Sequence, residues 1–337
     1  LKYLFIIGKG RDYVETRTKT QLEDPKNQFY IPTFGYHGAD GLIAAKSGTN
    51  APAVSIGRIA VRTPDQIREY LTKVQTHEDN LNYAQTIDEK AWMKKVIHLA
   101  GGSGNESDVL KSYLDQMADV IENNCFGANV VTYGRTSGTA TEAVTDKIIN
   151  DIEDGASIIT FFGHSGVSTS DFNIGDLNND KFPVFLSLGC YSGDIHTSVT
   201  TGQSEKFVLS PHGVIAFLAS SGTAYITPQF ILGKDFYSRL GNEMYGATIG
   251  EIFKDILAQN NTNTSRPIQT LTQQFTIHGD PAVRIQPHAG PDFTFDYSTI
   301  RIEPAVINSN EDHFVFSVDM INLGRCSTQD SLDIKIL

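Results

Sequence analysis

Short apolar runs that do not alternate with polar residues recur along most of the chain, and they constrain the fold more than any other feature. A strand buried on both faces of a parallel sheet has this pattern. Segments with the apolar period of amphipathic helices separate the runs. Alternating strands and helices predict an α/β fold, in which helices flank a mostly parallel sheet. The predicted strands are residues 3–8, 53–61, 93–102, 128–134, 156–162, 183–189, 213–222 and 273–285.

The helix between the second and third runs begins with a clear start signal. Thr63 is a good N-cap, Pro64 suits the first helical position, and Gln66 completes a capping box. A second amphipathic helix is predicted over residues 107–123, with Ser107 as its cap. Further helices are predicted at 141–153, capped near Thr141, and at about 228–241 and 248–258.

The pattern changes after Pro287. Residues 289–337 contain short segments in which apolar and polar residues alternate, with no helical period, and the last of these is 331–337. This alternating pattern predicts the start of a small β-sandwich of the immunoglobulin-like kind. The α/β part is predicted to divide into subdomains at residues 1–90 and 91–288.

Composition excludes several classes of protein. A net charge of −12 without a basic cluster argues against nucleic-acid binding. No apolar stretch approaches the roughly 20 residues that a membrane helix needs. The chain begins at Leu1 with a strand-like run and no Met, which we interpret as a fragment or a processed form.

The chain has three cysteines, Cys125, Cys190 and Cys326, so they cannot all pair with one another. Their spacing does not match a zinc site. At least one thiol is therefore free. Cys125 and Cys326 fall in different predicted domains, which leaves their pairing open.

Two of the predicted strands end in residues with useful chemistry. His164 follows the strand at 156–162, and Cys190 follows the strand at 183–189. Ligands and catalytic groups collect at the carboxyl ends of strands in open parallel sheets. A cysteine nucleophile reacts as its thiolate, which a neighbouring imidazole favours, and glycine-rich turns can expose amides to an oxyanion. The alternative is ordinary: a cysteine at a strand end often only packs, and glycines after strands often only make turns.

These segments resemble the signatures of the gingipain-type cysteine peptidases, whose fold is similar to that of caspases. The two signature segments are GHSG (163–166) and GCYSGD (189–194). The resemblance continues in the same order over about residues 1–287. It includes SIGRIAVRTPDQIREYLTKVQTHE (55–78), WMKKVIHLAGG (92–102), GVIAFLASSGTAY (213–225) and FTIHGDPAVRI (275–285).

The resemblance implies a role for each signature residue. Cys190 would be the nucleophile and His164 the general acid and base. The backbone amides of Cys190 and Ser165 would form the oxyanion hole. Ser165 stands where the family usually has Gly, which a backbone donor should tolerate. Ala100 stands where we expect an acidic residue near the histidine, so an orienting carboxylate would have to come from elsewhere.

Substrate specificity is implied by a second region. Asp108 matches the acidic residue at the base of the S1 pocket in arginine-specific members, and Tyr225 is loosely aligned with an aromatic wall of that pocket. A carboxylate there would bind the guanidinium of Arg or the ammonium of Lys at P1. Equally, Asp108 suits the first turn of a helix through the helix dipole alone.

No catalytic role is predicted for the other polar residues near these motifs. Asp194 matches the family pattern, whereas His196 is predicted to be a surface or loop residue. His37, His278 and Asp280 are expected to be structural. Loop 35–41 offers oxygens but lacks calcium-site spacing, so no metal is predicted and no cofactor is required.

The resemblance therefore implies a secreted or surface-bound bacterial cysteine endopeptidase that acts on proteins or peptides after Arg or Lys. It also allows a partner in secretion or cell-surface machinery. A sortase-like transpeptidase of a type IX secretion pathway would share this chemistry and pass the acyl group to an amine. A third possibility, from a different class, is a surface binding module that has kept the fold and lost catalysis.

Overall fold

The computed structural model describes residues 1–14, 31, 33–135, 142–198, 202–286, 288–308, 310 and 312–327. Its centre is a sheet of eight strands in the order β1-β2-β8-β7-β6-β5-β3-β4. The strands are β1 (Tyr3–Ile7), β2 (Ser55–Ile59), β3 (Lys95–Ala100), β4 (Asn129–Gly134), β5 (Ile158–Phe162), β6 (Val184–Leu188), β7 (Ala216–Ser220) and β8 (Phe275–Gly279).

The sheet is mostly parallel, as the apolar runs predict. Strands β4, β3, β5, β6 and β7 pair in parallel, so their carboxyl ends meet at one edge. Strand β8 runs antiparallel to β7 and pairs in parallel with β2, which pairs in parallel with β1. The shared edge of β3 to β7 carries the candidate site.

Helices cover both faces of the sheet and bury two apolar cores. On one face, Leu114, Phe236 and Phe253 belong to a large cluster with the strand residues beneath them. On the other face, Ile152 and Phe207 belong to a second cluster. The helices are α1 (Pro64–Tyr83), α2 (Ile87–Lys90), α3 (Asn105–Glu122), α4 (Glu142–Glu153), α5 (Gln203–Leu209), α6 (Ile226–Gly241), α7 (Ile249–Asn260) and α8 (Arg266–Gln274). Short 3-10 helices lie at Asp40–Leu42, Ala91–Met93 and Tyr297–Thr299.

The predicted helix starts have different outcomes. The Thr63 side chain accepts a hydrogen bond from the Gln66 N–H, so the predicted cap of α1 is confirmed. The prediction for α3 is wrong by one turn, because its N-cap is Gly104 and Ser107 lies buried inside the helix. Thr141 lies outside the described residues, as does the predicted strand at 331–337.

The C-terminal segment forms two small antiparallel ribbons. Strand β10 (Arg301–Glu303) pairs with β11 (Val315–Ser317), and β9 (Phe293–Phe295) pairs with β12 (Met320–Asn322). The immunoglobulin-like sandwich stays a prediction, as do the predicted domain boundaries. Both predicted α/β subdomains contribute strands to the one eight-stranded sheet.

A disulfide bond between Cys125 and Cys326 joins the C-terminal segment to the loop before β4. This pairing, which the sequence leaves open, makes Cys190 the free cysteine. The ammonium group of Lys94 supports the same junction by donating to the carbonyl of Gly324 at 2.7 Å. Within the described residues, no helix is both long and apolar enough to span a membrane.

Candidate active site

The two signature strands are direct neighbours. Strands β5 and β6 pair in parallel from Ile158 opposite Val184 to Phe162 opposite Leu188. The offset between partners is 184 − 158 = 26 residues, which equals the separation of His164 and Cys190, 190 − 164 = 26. The two residues therefore follow adjacent strand ends at equivalent register positions.

The sulfur of Cys190 is half-buried and contacts the backbone after β7. Its thiol lies 3.4 Å from the carbonyl oxygen of Ala224, to which it can donate, and the Ala224 N–H lies 3.5 Å from the sulfur. The Cys190 carbonyl accepts a hydrogen bond of 2.7 Å from the Ser165 hydroxyl. The end of β6 is thus held between the end of β5 and the segment that leads to α6.

A tight turn follows Cys190 and presents it at the edge of the sheet. Tyr191 has a φ of 57°, in the left-handed region that non-glycine residues rarely adopt. Its N–H donates to the Gly222 carbonyl, and its own carbonyl accepts from the Asp194 N–H, both at 3.0 Å. Gly193 approaches β7 so closely that a Cβ would lie 2.6 Å from the Ala219 oxygen. Strained residues of this kind concentrate at functional sites.

The imidazole of His164 lies on the surface beside a carboxylate. Its Nε2 is 2.9 Å from Oε2 of Glu106, and the two side chains are 68% and 36% exposed. Nδ1 has no hydrogen-bond partner within the part of the chain that the structure describes. Neither ring nitrogen is hydrogen-bonded to Cys190 here, and catalytic hydrogen bonds often tighten only when substrate is present.

Glu106 places a carboxylate beside the imidazole, whereas Ala100 has none to offer. Ala100 ends β3 and is fully buried in the core, whereas Glu106 lies in the first turn of α3, just beyond that strand. Sequence reasoning missed this residue. The available signal was a third strand end, since β3 neighbours β5 and the turn GGSGNE (101–106) reaches the same edge of the sheet.

Two backbone amides of interest follow the ends of β5 and β6. His164 to Asp171 form a narrow hairpin, in which Asp171 N–H donates to the His164 carbonyl and Gly166 N–H donates to Thr169. Ser165 therefore turns its own N–H away from the hairpin partner. Within the described residues, the N–H groups of Ser165 and Cys190 make no hydrogen bond.

The predicted S1 residues lie on the protein surface. Asp108 is exposed in the first turn of α3, two residues after Glu106, and therefore points to a different face of the helix. Tyr225 is 62% exposed and precedes α6. It lines a cleft of about 510 Å³ with residues of α6 and α8. Asp108 does not line this cleft, so a pocket shared by Asp108 and Tyr225 stays a prediction.

His196 lies in the loop after β6, as the sequence suggests, but it is not at the surface. It is fully buried, and its Nε2 lies 3.6 Å from an oxygen of Asp40. Burial lowers the pKa of His196 to about 4, although the Asp40 carboxylate acts in the opposite direction. A neutral imidazole enclosed in this way is not an alternative base for Cys190.

The carboxylate of loop 35–41 is already used inside the protein. Asp40 is buried, binds the Arg58 guanidinium through both oxygens at 2.7 and 2.8 Å, and accepts a hydrogen bond from Thr33. Burial alone would raise the pKa of Asp40, but the charge and the hydrogen bonds of the Arg58 guanidinium hold it below its usual value. No set of three or more His, Cys, Asp or Glu side chains suited to a metal occurs among the described residues.

The residues expected to be structural fall in two places. His278 is buried in β8, where its Nε2 accepts a hydrogen bond from the Ala60 N–H, and Asp280 follows it. His37 lies closer to the site, with its ring 5.0 Å from the Tyr191 ring in an edge-to-face contact. It therefore supports the turn that carries Cys190.

Comparisons with known proteins identify the family and the fold. The model of peptidase family C25 matches residues 1–286. The crystal structure of the Arg-specific cysteine proteinase gingipain R is similar, with a TM-score of 0.67 and 18% identity over 88% of this chain and 67% of that chain. The complex of RgpB pro- and mature domains from Porphyromonas gingivalis is also similar. Its TM-score is 0.67, with 17% identity over 88% of this chain and 69% of that chain.

A third solved structure, described as a protease, gives a TM-score of 0.60 and 13% identity over 89% of this chain and 70% of that chain. No curated protein sequence matches the chain. The structural likenesses show the same caspase-like fold, and the family match spans both signature strands and their neighbours. The chain belongs to peptidase family C25 and is a cysteine peptidase of the gingipain type.

Proposed function

We propose that this protein is an endopeptidase in which Cys190 and His164 form the catalytic dyad. One observation carries the proposal: the two residues occupy equivalent positions after adjacent parallel strands, in the strand pair that also carries the family signatures. The half-buried free thiol and the surface imidazole with a carboxylate neighbour both suit these roles.

In this mechanism the thiolate of Cys190 attacks the scissile carbonyl carbon, and the carbonyl π electrons move onto oxygen. The N–H groups of Cys190 and Ser165 donate to that oxyanion. The imidazolium of His164 gives its proton to the leaving amine as the C–N bond breaks. Water then attacks the acyl-enzyme with His164 as the base, releasing the acid and restoring the thiol.

A basic P1 residue is the specificity that the sequence favours. Asp108 is an exposed carboxylate near the end of β3, without a hydrogen-bond partner among the described residues, and it could bind a guanidinium or an ammonium. Glu106 is less suited to that task, because it already contacts His164. Tyr225 would contribute an aromatic surface.

The chemistry of the dyad needs no metal or cofactor, because sulfur supplies the nucleophile and imidazole moves the protons. Family membership also favours a secreted or cell-surface protein that cleaves other proteins, with secretion machinery as a further partner.

The first experiment measures the hydrolysis of a peptide-reporter library that varies only at P1. The variants are Cys190→Ala, Asp108→Asn and, as a matched control, Asp119→Asn, an exposed carboxylate three turns further along α3. We expect cleavage after Arg or Lys that disappears in Cys190→Ala. Asp108→Asn should lose the basic preference, while Asp119→Asn should behave as the wild type.

Three outcomes would overturn parts of this proposal. No Cys190-dependent product, with or without an added amine acceptor, would exclude the dyad. A product that appears only when the amine is present would replace hydrolysis by transpeptidation. An unchanged P1 profile in Asp108→Asn would remove Asp108 from the S1 pocket and leave the dyad untouched.

A further inference from the structure

We infer that Asp171 is the positioning residue of the acid–base pair, fixing the backbone beneath both His164 and Glu106. The inference rests on the proposed function, because it assigns a role within that same site. Asp171 lies on the returning strand of the hairpin that begins at His164, and neither the family signatures nor the sequence analysis points to it.

The carboxylate of Asp171 joins the ends of three neighbouring strands. Its Oδ2 accepts hydrogen bonds from the N–H of His164 at 2.8 Å, after β5, and from the N–H of Gly102 at 2.7 Å, after β3. Its Oδ1 accepts from the guanidinium of Arg135 at 2.6 Å, after β4. The Asp171 N–H also donates to the His164 carbonyl at 3.0 Å, so the His164 peptide is held on both sides.

The sequence leaves a space of the right size for this carboxylate. Gly101 and Gly163 lie on either side of it, and a Cβ added to them would come within 2.3 and 2.7 Å of Oδ2. The Cα atom of each glycine would lie 2.9 Å from the Cβ of the other. Side chains at these two positions would displace the carboxylate, which explains why both positions are glycine.

Asp171 also acts on Glu106 through Gly102. Gly102 has a φ of 74°, and the Glu106 side chain lies across it, with Cγ 3.1 Å and Oε2 3.2 Å from the position of a Cβ. The peptide that Asp171 holds therefore lies directly beneath the carboxylate that contacts His164. One carboxylate thus binds the backbone of His164 and the backbone beneath Glu106, the two partners in the 2.9 Å contact.

Arg135 supplies a counter-charge for Asp171. The two side chains are only 11% and 12% exposed, and the guanidinium lies 2.6 Å from the carboxylate. The negative charge of Asp171 is thereby compensated, and Glu106 remains the carboxylate that meets the imidazole. Asp171 touches neither the thiol nor the imidazole ring, so it positions the catalytic groups and takes no part in the chemical steps.

Replacing Asp171 by Asn tests this role with almost no change in shape. If the amide oxygen faces the two N–H groups, the amide nitrogen faces Arg135, donor against donor. In the opposite orientation the amide nitrogen faces His164 and Gly102, and those bonds are lost. Either way the backbone beneath the acid–base pair loses part of its support.

The experiment compares Asp171→Asn with Asp176→Asn, an exposed carboxylate in the same connection between β5 and β6. Steady-state hydrolysis of a peptide reporter gives kcat and KM. The rate of alkylation by iodoacetamide at pH 6 and pH 9, assigned to Cys190 with Cys190→Ala, gives thiol reactivity without substrate. Measurements are made below the thermal transition of every variant.

We expect kcat of Asp171→Asn to fall about 10- to 100-fold with KM changed about twofold or less, because a 1 Å misplacement of a catalytic group costs up to about 10²-fold. Alkylation should slow at pH 6, where the thiolate depends on His164. It should be unchanged at pH 9, above the ordinary thiol pKa of about 8.5. Gly101→Ala, which displaces the carboxylate from the other side, should give the same signature.

The possible results distinguish the role of Asp171 from the existence of the Cys190–His164 dyad. Kinetics and alkylation equal to those of Asp176→Asn would overturn the role of Asp171 and leave the dyad intact. An equal loss of alkylation at pH 6 and pH 9 would also overturn it, since that result indicates general disruption. A wild-type protein whose Cys190 reacts independently of His164 and cleaves nothing would overturn the dyad, and with it the role of Asp171.

Discussion

The ends of β5 and β6 lie side by side at the active site, yet they are held by different kinds of contact. At the end of β5, His164 is held through charged groups: Glu106 contacts its ring and Asp171 binds its N–H. At the end of β6, Cys190 is held through neutral groups, with the Ser165 hydroxyl on its carbonyl and the Ala224 backbone beside its sulfur.

This difference suits the tasks that we propose for the two residues. The imidazole must carry a positive charge during catalysis, and nearby carboxylates favour that form. The sulfur must carry a negative charge, and a carboxylate against it would oppose the thiolate. Neutral donors can hold the end of β6 without that cost. The end of β5 with His164, the histidine side, should therefore be sensitive to substitutions that change charge. The end of β6 with Cys190, the cysteine side, should be sensitive to substitutions that change side-chain volume.

The largest effect is expected from removing the charged side altogether. His164→Ala should lower kcat/KM about 10²- to 10⁴-fold, the usual contribution of a general acid or base. Alkylation of Cys190 at pH 6 should slow as well, since the thiolate loses its counter-charge. His212→Ala, which removes another exposed histidine, is the matched control. Equal rates in both variants would mean that the strand ends do not cooperate.

A smaller effect is expected from removing only the carboxylate at the ring. Glu106→Gln keeps the length of the side chain and loses its charge. We expect kcat/KM to fall about fivefold or less, because an exposed ion pair contributes about 1 kcal/mol at most. P1 preference should not change, in contrast to Asp108→Asn.

Ionic strength gives an independent check on the Glu106 contact. Salt screens exposed charges, so the difference in kcat/KM between the wild type and Glu106→Gln should become smaller as the salt concentration is raised. Asp115→Asn, which removes another exposed carboxylate on α3, should show no such gap. A gap that persists at high salt would indicate that Glu106 acts through shape instead of charge.

The fold could be predicted from the sequence because its signals are local. Short apolar runs predicted the strands of the main sheet, and Thr63 predicted the start of α1. The short helices α2, α5 and α8 were missed. For α8, RPIQTLTQQ (266–274) has few apolar residues and resembles a loop. The Cys125–Cys326 bond joins residues 201 positions apart, and spacing alone does not reveal such a pair.

The active site could be predicted only in part, for a related reason. His164 and Cys190 each follow a strand end, so a periodic pattern leads to them. Glu106 is 58 residues from His164 in the chain, and its contact depends on β3 lying next to β5. Asp171 is only seven residues from His164, but its role appears only when Gly102 and Arg135 are brought to the same edge. Strand order, which the sequence pattern leaves open, decides both.

The smallest effects on kcat/KM are expected from substitutions on the cysteine side, where changes in side-chain volume should matter more than changes in charge. Ser165→Ala removes one neutral hydrogen bond to the Cys190 carbonyl and keeps the backbone N–H. The free energy of unfolding should fall by about 1 kcal/mol, and kcat/KM should change about twofold or less. Thermal unfolding and reporter hydrolysis measure the two quantities.

Gly189 lies beside Ser165 and allows a sharper test of the same side. A Cβ at position 189 would lie 2.1 Å from the Ser165 hydroxyl oxygen, whereas its next contacts are at 3.0 and 3.1 Å. Gly189→Ala should therefore destabilise the protein more in the wild-type background than in the Ser165→Ala background, where the closest contact is gone. Chemical denaturation of the four proteins gives the interaction energy between the two positions. Equal costs in both backgrounds would show that the hydroxyl simply rotates away, and volume would then not be what holds the end of β6.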